Sequence, residues 1–163
     1  MRRRQVVVIG SHNDTSYRDE AYQIGRHIGT RGWVLISGGR GGIMEAASRG
    51  AVEAGGIVVG ILPDSNPDGA NPFCSIVIPT GIGYARNLTN VLSGDVIVAI
   101  GGKSGTLSEI AYACQFGKPV IFCTFARGWS EKFLGTFGAE SETRTFAARS
   151  IQDVCEQLDS ILL

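Results

Sequence analysis

The chain has 163 residues, 44% of them hydrophobic, a length that suits one domain and a composition that supplies a sizeable core. Fifteen Lys and Arg balance fifteen Asp and Glu, so no bulk field draws the protein to nucleic acid or to an anionic membrane, and any anion must be recognised locally. Twenty-three glycines without a collagen-like period point to tight turns where backbone approaches a ligand.

Gln5 to Gly10 is β-branched and almost uninterrupted, which predicts a parallel strand covered on both faces. Ser16-Tyr17-Arg18-Asp19 fits a helix-opening capping box, and Ala21, Ile24 and Ile28 follow at helical spacing up to Gly29. Trp33 to Ile36 reads as a second strand, leading through Ser37-Gly38-Gly39-Arg40-Gly41-Gly42 into a small-residue helix from Ile43 to about Ala54. A third strand spans Ile57 to Leu62, and the Pro-, Asp-, Asn- and Gly-rich stretch Pro63 to Pro72 reads as a mobile loop.

Ser75 to Ile78 is a short fourth strand, and a helix is expected near Tyr84 to Leu92. Val96 to Ile100 is the fifth strand, followed by Gly101 to Gly105 and a helix ending near Gly117; Val120 to Cys123 is the sixth. Thr124 to Arg144 carries no clear pattern, whereas Ser150-Ile151-Gln152-Asp153 is a second capping box for a last helix ending near Leu162. Strands alternating with helices predict one α/β domain over residues 1–163, a Rossmann-like doubly wound parallel sheet in three α/β/α layers, with ligands at the carboxyl ends of the strands.

Cys74, Cys114, Cys123 and Cys155 contain no CxxC pair, and with only His12 and His27 they make no zinc framework. Buried thiols in a reducing cytoplasm and no metal site are the expectation. Met1-Arg2-Arg3-Arg4 runs into too short an apolar stretch for a signal peptide, and no later run approaches membrane-spanning length.

Three glycine loops carry the chemistry, because helix N-termini offer unpaired N–H groups and a positive dipole end to phosphate. Gly38 to Gly42 does not complete G-x-G-x-x-G, since Met44 occupies the last position counted from Gly39. Gly102-Lys103-Ser104 imitates the end of a Walker A loop, but Ile97 stands where the first glycine is required. A hydrolase elbow fails too, because Thr106 takes the final glycine position. The N–H groups of Gly105 and Thr106 remain suited to a phosphate monoester. Thr106-Leu107-Ser108-Glu109 also fits a capping box, so Glu109 either caps its own helix or meets a ligand. Thr80 to Asn87 brings Arg86 onto the first turn of a helix, where a cation opposes the dipole and invites an anionic partner.

Gly32 to Arg40, Gly42 to Ala46, Glu53 to Gly56 and Gly60 to Pro63, in that order, resemble the LONELY GUY superfamily of Rossmann-like proteins. Gly81-x-Gly83-x-Ala85-Arg86-Asn87 and Gly105-Thr106-x-x-Glu109 bring the chain closer to the branch of molybdenum-cofactor carrier proteins, over about Val6 to Phe122. Catalytic members of the superfamily cleave the N-glycosidic bond of nucleoside 5′-monophosphates such as AMP or cytokinin nucleotides. Their pattern has an Arg-Lys pair and then P-G-G-x-G-T-x-x-E. Arg86 and Glu109 match its catalytic arginine and glutamate, but Asn87 replaces the lysine, Gly101 the proline and Lys103 the second glycine.

The resemblance therefore implies one of two activities. One is binding of a phosphorylated nucleotide-like or pterin-like molecule, with molybdenum cofactor or a nucleoside monophosphate as ligand and no cofactor required. The other is a phosphoribohydrolase using Arg86 and Glu109. Expected ligand-binding residues are Gly38, Gly39, Arg40, Gly41, Gly42, Met44, Gly83, Arg86, Asn87, Gly102, Lys103, Ser104, Gly105, Thr106 and Glu109, with Tyr84 or the Pro63 to Phe73 loop covering the ring system. A homodimer or higher homo-oligomer is implied, with no nucleic-acid or membrane partner. Family members labelled lysine decarboxylase are set aside, since the only lysines, Lys103, Lys118 and Lys132, lack a supporting cofactor pattern.

Overall fold

A computed structural model describes residues 1–138 and 143–163. The strands β1 (Gln5–Gly10), β2 (Val34–Ser37), β3 (Ile57–Leu62), β4 (Ile76–Pro79), β5 (Val96–Ile100), β6 (Val120–Cys123) and β7 (Thr145–Ala148) form one parallel sheet in the order β4-β3-β2-β1-β5-β6-β7. The register pairs Val6 with Leu35 on one side and with Val96 on the other. Chain order reverses between β1 and β5, which is where a doubly wound sheet opens a crevice at its carboxyl edge.

Because side chains alternate across a strand, the apolar runs feed two cores at once. Val6, Val8, Leu35, Val98 and Ile121 meet α1 (Arg18–Thr30), α2 (Ile43–Glu53) and α6 (Ile151–Leu162). Val7, Ile9, Ile36, Ile97 and Phe122 meet α3 (Arg86–Ser93), α4 (Ser104–Gln115) and α5 (Trp129–Phe137) on the opposite face. The three-layer expectation is met. Helices α1 and α2 approach until backbone touches backbone: a Cβ on Gly25 would lie 2.0 Å from the Ala47 carbonyl oxygen, and one on Gly50 2.0 Å from that of Tyr22.

Several sequence expectations need correction. The unassigned stretch holds α5 and is followed by the edge strand β7; residues 139–142 of that stretch lie outside the described residues. The capping box at Ser16 does not form, since α1 starts at Arg18 without a side-chain cap and Asp14 Oδ1 instead accepts the Ser16 N–H at 2.8 Å. The second box does form, with Ser150 Oγ accepting the Asp153 N–H at 3.1 Å.

The loop after β3, read from sequence as mobile, is tied down. Asn71, buried, donates its N–H to the Gly39 carbonyl at 2.8 Å and its side-chain Nδ2 to that of Arg40 at 3.0 Å. Cys123 is buried and its thiol is pushed up by burial, while Cys74, Cys114 and Cys155 are half-buried. Among the described residues no His, Cys, Asp and Glu cluster is placed to hold a metal, and no helix is long and apolar enough to cross a membrane.

Candidate functional site

The loops after β1, β2, β3 and β5 and the start of α3 enclose a cleft of about 390 Å³ at the point where the strand order reverses. Gly38, Arg40, Met44, Arg86, Asn87, Lys103, Ser104, Gly105, Thr106 and Glu109 all line it, so the three glycine loops converge as expected. Gly39, Gly41, Gly42, Gly83 and Gly102 do not line it. Gly42 has φ 59° and a Cβ there would fall 2.4 Å from the Ser11 carbonyl oxygen, while Gly83 turns the chain with its N–H on the Pro63 carbonyl.

Arg86 is the cation the architecture holds most firmly. Its Nη1 donates to the carbonyls of Gly38 and Ile61, each at 2.6 Å, and its Nε donates to Asn87 Oδ1 at 2.9 Å. The guanidinium lies so close to Gly38 that a Cβ at that position would be 2.5 Å from Nη1. Half-burial lowers its pKa from the ordinary value, and it forms no ion pair with an Asp or Glu among the described residues. A guanidinium seated on carbonyls, partly desolvated and unneutralised, is a position for an anion. Asn87 is buried and spends both ends of its amide within the protein, its Nδ2 donating to Ser108 Oγ at 3.0 Å. It orients Arg86 and joins α3 to α4.

The loop after β5 is fixed from outside the cleft. Gly101 N–H donates to Ser130 Oγ at 2.7 Å, and the carbonyls of Gly101 and Gly102 accept the N–H groups of Ser130 and Trp129. Gly102 has φ 95°, and its missing Cβ makes room for Thr106, which would otherwise be 2.3 Å away. The first bond into α4 runs from the Leu107 N–H to the Lys103 carbonyl. The N–H groups of Ser104, Gly105 and Thr106 therefore precede the helical ladder, as at any helix start, and they border the cleft with exposed Lys103 beside them.

Glu109 is not a cap. Helix α4 begins at Ser104, ahead of the position a Thr106 cap requires, and no side chain caps it. The carboxyl instead turns into the floor of the cleft, 8% exposed, with Asn90 Nδ2 donating to Oε2 at 3.3 Å. Burial raises its pKa from 4.5 to about 7, against the opposing pull of Arg86 and the Asn90 hydrogen bond. At the mouth, Arg40 Nη1 pairs with Asp64 at 2.7 Å, and Tyr84 is 89% exposed beside Pro63. Both residues of the Arg40–Asp64 pair are well exposed, so it adds little to stability.

Gly10, Ser11, His12 and Asn13 also line the cleft and were missed. The polar run after β1 carries no phosphate-loop signature. The available signal was topological, because a first strand in the middle of a doubly wound sheet must end at the crevice.

A parallel α/β fold with its cleft at the strand crossover defines the class of Rossmann-like α/β proteins. Within it the chain belongs to the SLOG cluster4 family, whose model matches residues 3–155. It is similar to the molybdenum cofactor binding protein of Rippkaea orientalis, at 39% identity over 100% of this chain and 99% of that one, with a TM-score of 0.89. It is also similar to the molybdenum cofactor carrier protein of Chlamydomonas reinhardtii, at 33% identity over 99% of each chain and a TM-score of 0.85. A probable cytokinin riboside 5′-monophosphate phosphoribohydrolase of Oryza sativa subsp. japonica is 29% identical over 113 residues, 66% of this chain and 54% of that protein. The resemblance read from the glycine loops thus holds, both to the LONELY GUY group and to the carrier branch.

Proposed function

We propose that the cleft binds a phosphorylated nucleotide-like or pterin-like small molecule, as a carrier does, with molybdenum cofactor or a nucleoside monophosphate as cargo. The observation that carries this reading is Arg86, held by the carbonyls of Gly38 and Ile61 and without an acidic ion-pair partner among the described residues, in the cleft bordered by the N–H groups of Ser104, Gly105 and Thr106. Lys103 adds a second cation at the rim, and Tyr84 with Pro63 offers an apolar surface to a planar ring. The similar molybdenum cofactor binding and carrier proteins of Rippkaea orientalis and Chlamydomonas reinhardtii support the choice of ligand class.

The phosphoribohydrolase reading rests on Arg86 and Glu109 and on the Oryza sativa relative. In it a water attacks the anomeric carbon as the base leaves, and an ionised Glu109 steadies the ribosyl cation. A carboxyl this buried, with Asn90 as its one hydrogen-bond partner among the described residues, is poorly equipped to be ionised, and Asn87 stands where the catalytic pattern has lysine. Both features favour binding over turnover. Incubation with AMP and other nucleoside monophosphates, analysed for released base alongside native mass spectrometry for co-purified ligand, tests the choice: retained ligand without base release is expected, and rapid base release abolished by Glu109→Gln would establish the hydrolase.

Cytoplasmic location and self-association belong to the same proposal. Ile82, Tyr84, Leu92 and Phe116 are exposed apolar side chains on and around α3 and α4, suited to cover one another in a homodimer. Sedimentation showing a monomer at high concentration would remove that element.

A further inference from the structure

We propose that Glu109 shares the cleft with a bound phosphate as a neutral carboxylic acid, so that seating a phosphate monoester dianion draws one proton onto this side chain. The inference deepens the phosphate-binding reading and rests on it. Among the described residues Glu109 forms no ion pair, and its Oε1 carries no hydrogen bond. Its neighbour Asn90 is 1% exposed, and the Oδ1 of that amide is buried without a partner. A carboxylate compensated by one 3.3 Å hydrogen bond is costly to bury, whereas the acid is far less so.

The helix sets the distance to the ligand. Glu109 stands three residues after Thr106 and four after Gly105 on α4, so its carboxyl and their free N–H groups share one helix face about one turn apart. A phosphate on those N–H groups and on Arg86 sets two negative charges close to the carboxyl. It also engages the guanidinium whose field favours the carboxylate form. Both effects raise the affinity of Glu109 for its proton, and burial has already lifted that pKa to about 7. The other titratable and charged groups around the cleft are His12 after β1, Arg40 paired with Asp64, Tyr84, and Lys103 ahead of α4. Arg40 and Lys103 attract the phosphate from the rim without contacting the buried carboxyl.

Calorimetry with AMP, in two buffers of different ionisation enthalpy at about pH 8, where the phosphate is already dianionic, counts the protons taken up on binding. The wild type is expected to take up a substantial fraction of one proton, and its affinity to fall by about tenfold per pH unit above about pH 7. Glu109→Gln, which imitates the neutral acid, should take up none, bind with flat pH dependence, and exceed the wild type by roughly tenfold at about pH 8. His12→Asn should keep the wild-type proton count. Binding with no uptake by the wild type, equal uptake by wild type and Glu109→Gln, or uptake that disappears in His12→Asn overturns the proposal and leaves the phosphate-binding reading intact. Failure of the wild type to bind AMP, inorganic phosphate or any nucleoside monophosphate sinks the phosphate-binding reading, and the proton linkage falls with it. If Glu109→Gln does not fold, the two-buffer count on wild type and His12→Asn decides alone.

Discussion

Arg86 and Asn87, neighbours in sequence at the start of α3, are joined through their side chains: Asn87 Oδ1 accepts from Arg86 Nε at 2.9 Å. The same amide then reaches Ser108 on α4, so the orientation of the cleft's central cation depends on a residue that spends its polar atoms inside the protein. Asn87→Ala should cost about 1–3 kcal/mol of stability, because Arg86 Nε loses its partner in a half-buried setting. AMP affinity should fall as well. Urea denaturation together with calorimetry checks both, and unchanged ligand affinity would show that Arg86 is positioned by its two carbonyl contacts alone.

Arg86→Ala removes the cation itself. If the guanidinium pairs with phosphate, the loss should be roughly 2 kcal/mol or more for AMP, since the anion is left partly desolvated and unpaired. Adenosine, lacking the phosphate, should be much less affected. Calorimetry with both ligands tests this, and equal losses would show that Arg86 does not contact the phosphate.

A structural prediction concerns the α1–α2 contact that backs the loops after β1 and β2. Gly25→Ala places a methyl group 2.0 Å from the Ala47 carbonyl oxygen, and the obstacle is backbone on a second helix. The helices must part, and a loss of about 1–3 kcal/mol is expected even though alanine is the better helix former. Thermal unfolding measures it. A Tm at or above that of the wild type would mean that α1 can shift without cost.

How much was legible in the sequence depended on whether the signal was local. Val96 to Ile100 declared a buried parallel strand by its unbroken apolar run, and all five residues are buried. Thr145–Ala148 is a short, mostly half-exposed edge strand of weak character, and β7 went unread. Helix α5 follows Gly128, which has a φ of 130° and where a Cβ would fall 2.7 Å from the Gly102 carbonyl oxygen, a constraint from outside its own segment. Within the site, Arg86 and the glycine loops were readable because helix starts and glycines are local. The contribution of Gly10 to Asn13 depends on where β1 lies in the sheet, which only the strand order reveals. Glu109 misled for a related reason: the Thr106-x-x-Glu109 pattern describes a cap, but the helix begins earlier and leaves the carboxyl facing inward.

That inward position gives stability a pH dependence of definite sign. Folding raises the pKa of Glu109 from 4.5 to about 7, so between those values the folded chain binds more protons at this residue than the unfolded chain does. Its contribution is therefore least unfavourable below about pH 4.5. It worsens as pH rises toward 7 and is constant above that. The full difference is on the order of 3 kcal/mol, taken from the shift between 4.5 and about 7. Glu109→Gln removes the titration while keeping the shape of the side chain and a hydrogen-bonding group beside Asn90. Wild type and variant should have similar stability at or below about pH 4.5, and the variant should pull ahead between there and about pH 7 and keep a constant lead above it, by denaturant unfolding measured across the range. Parallel curves for the two proteins would mean that Glu109 ionises freely in the folded state, and the same result would restore the charged carboxylate that the hydrolase reading requires.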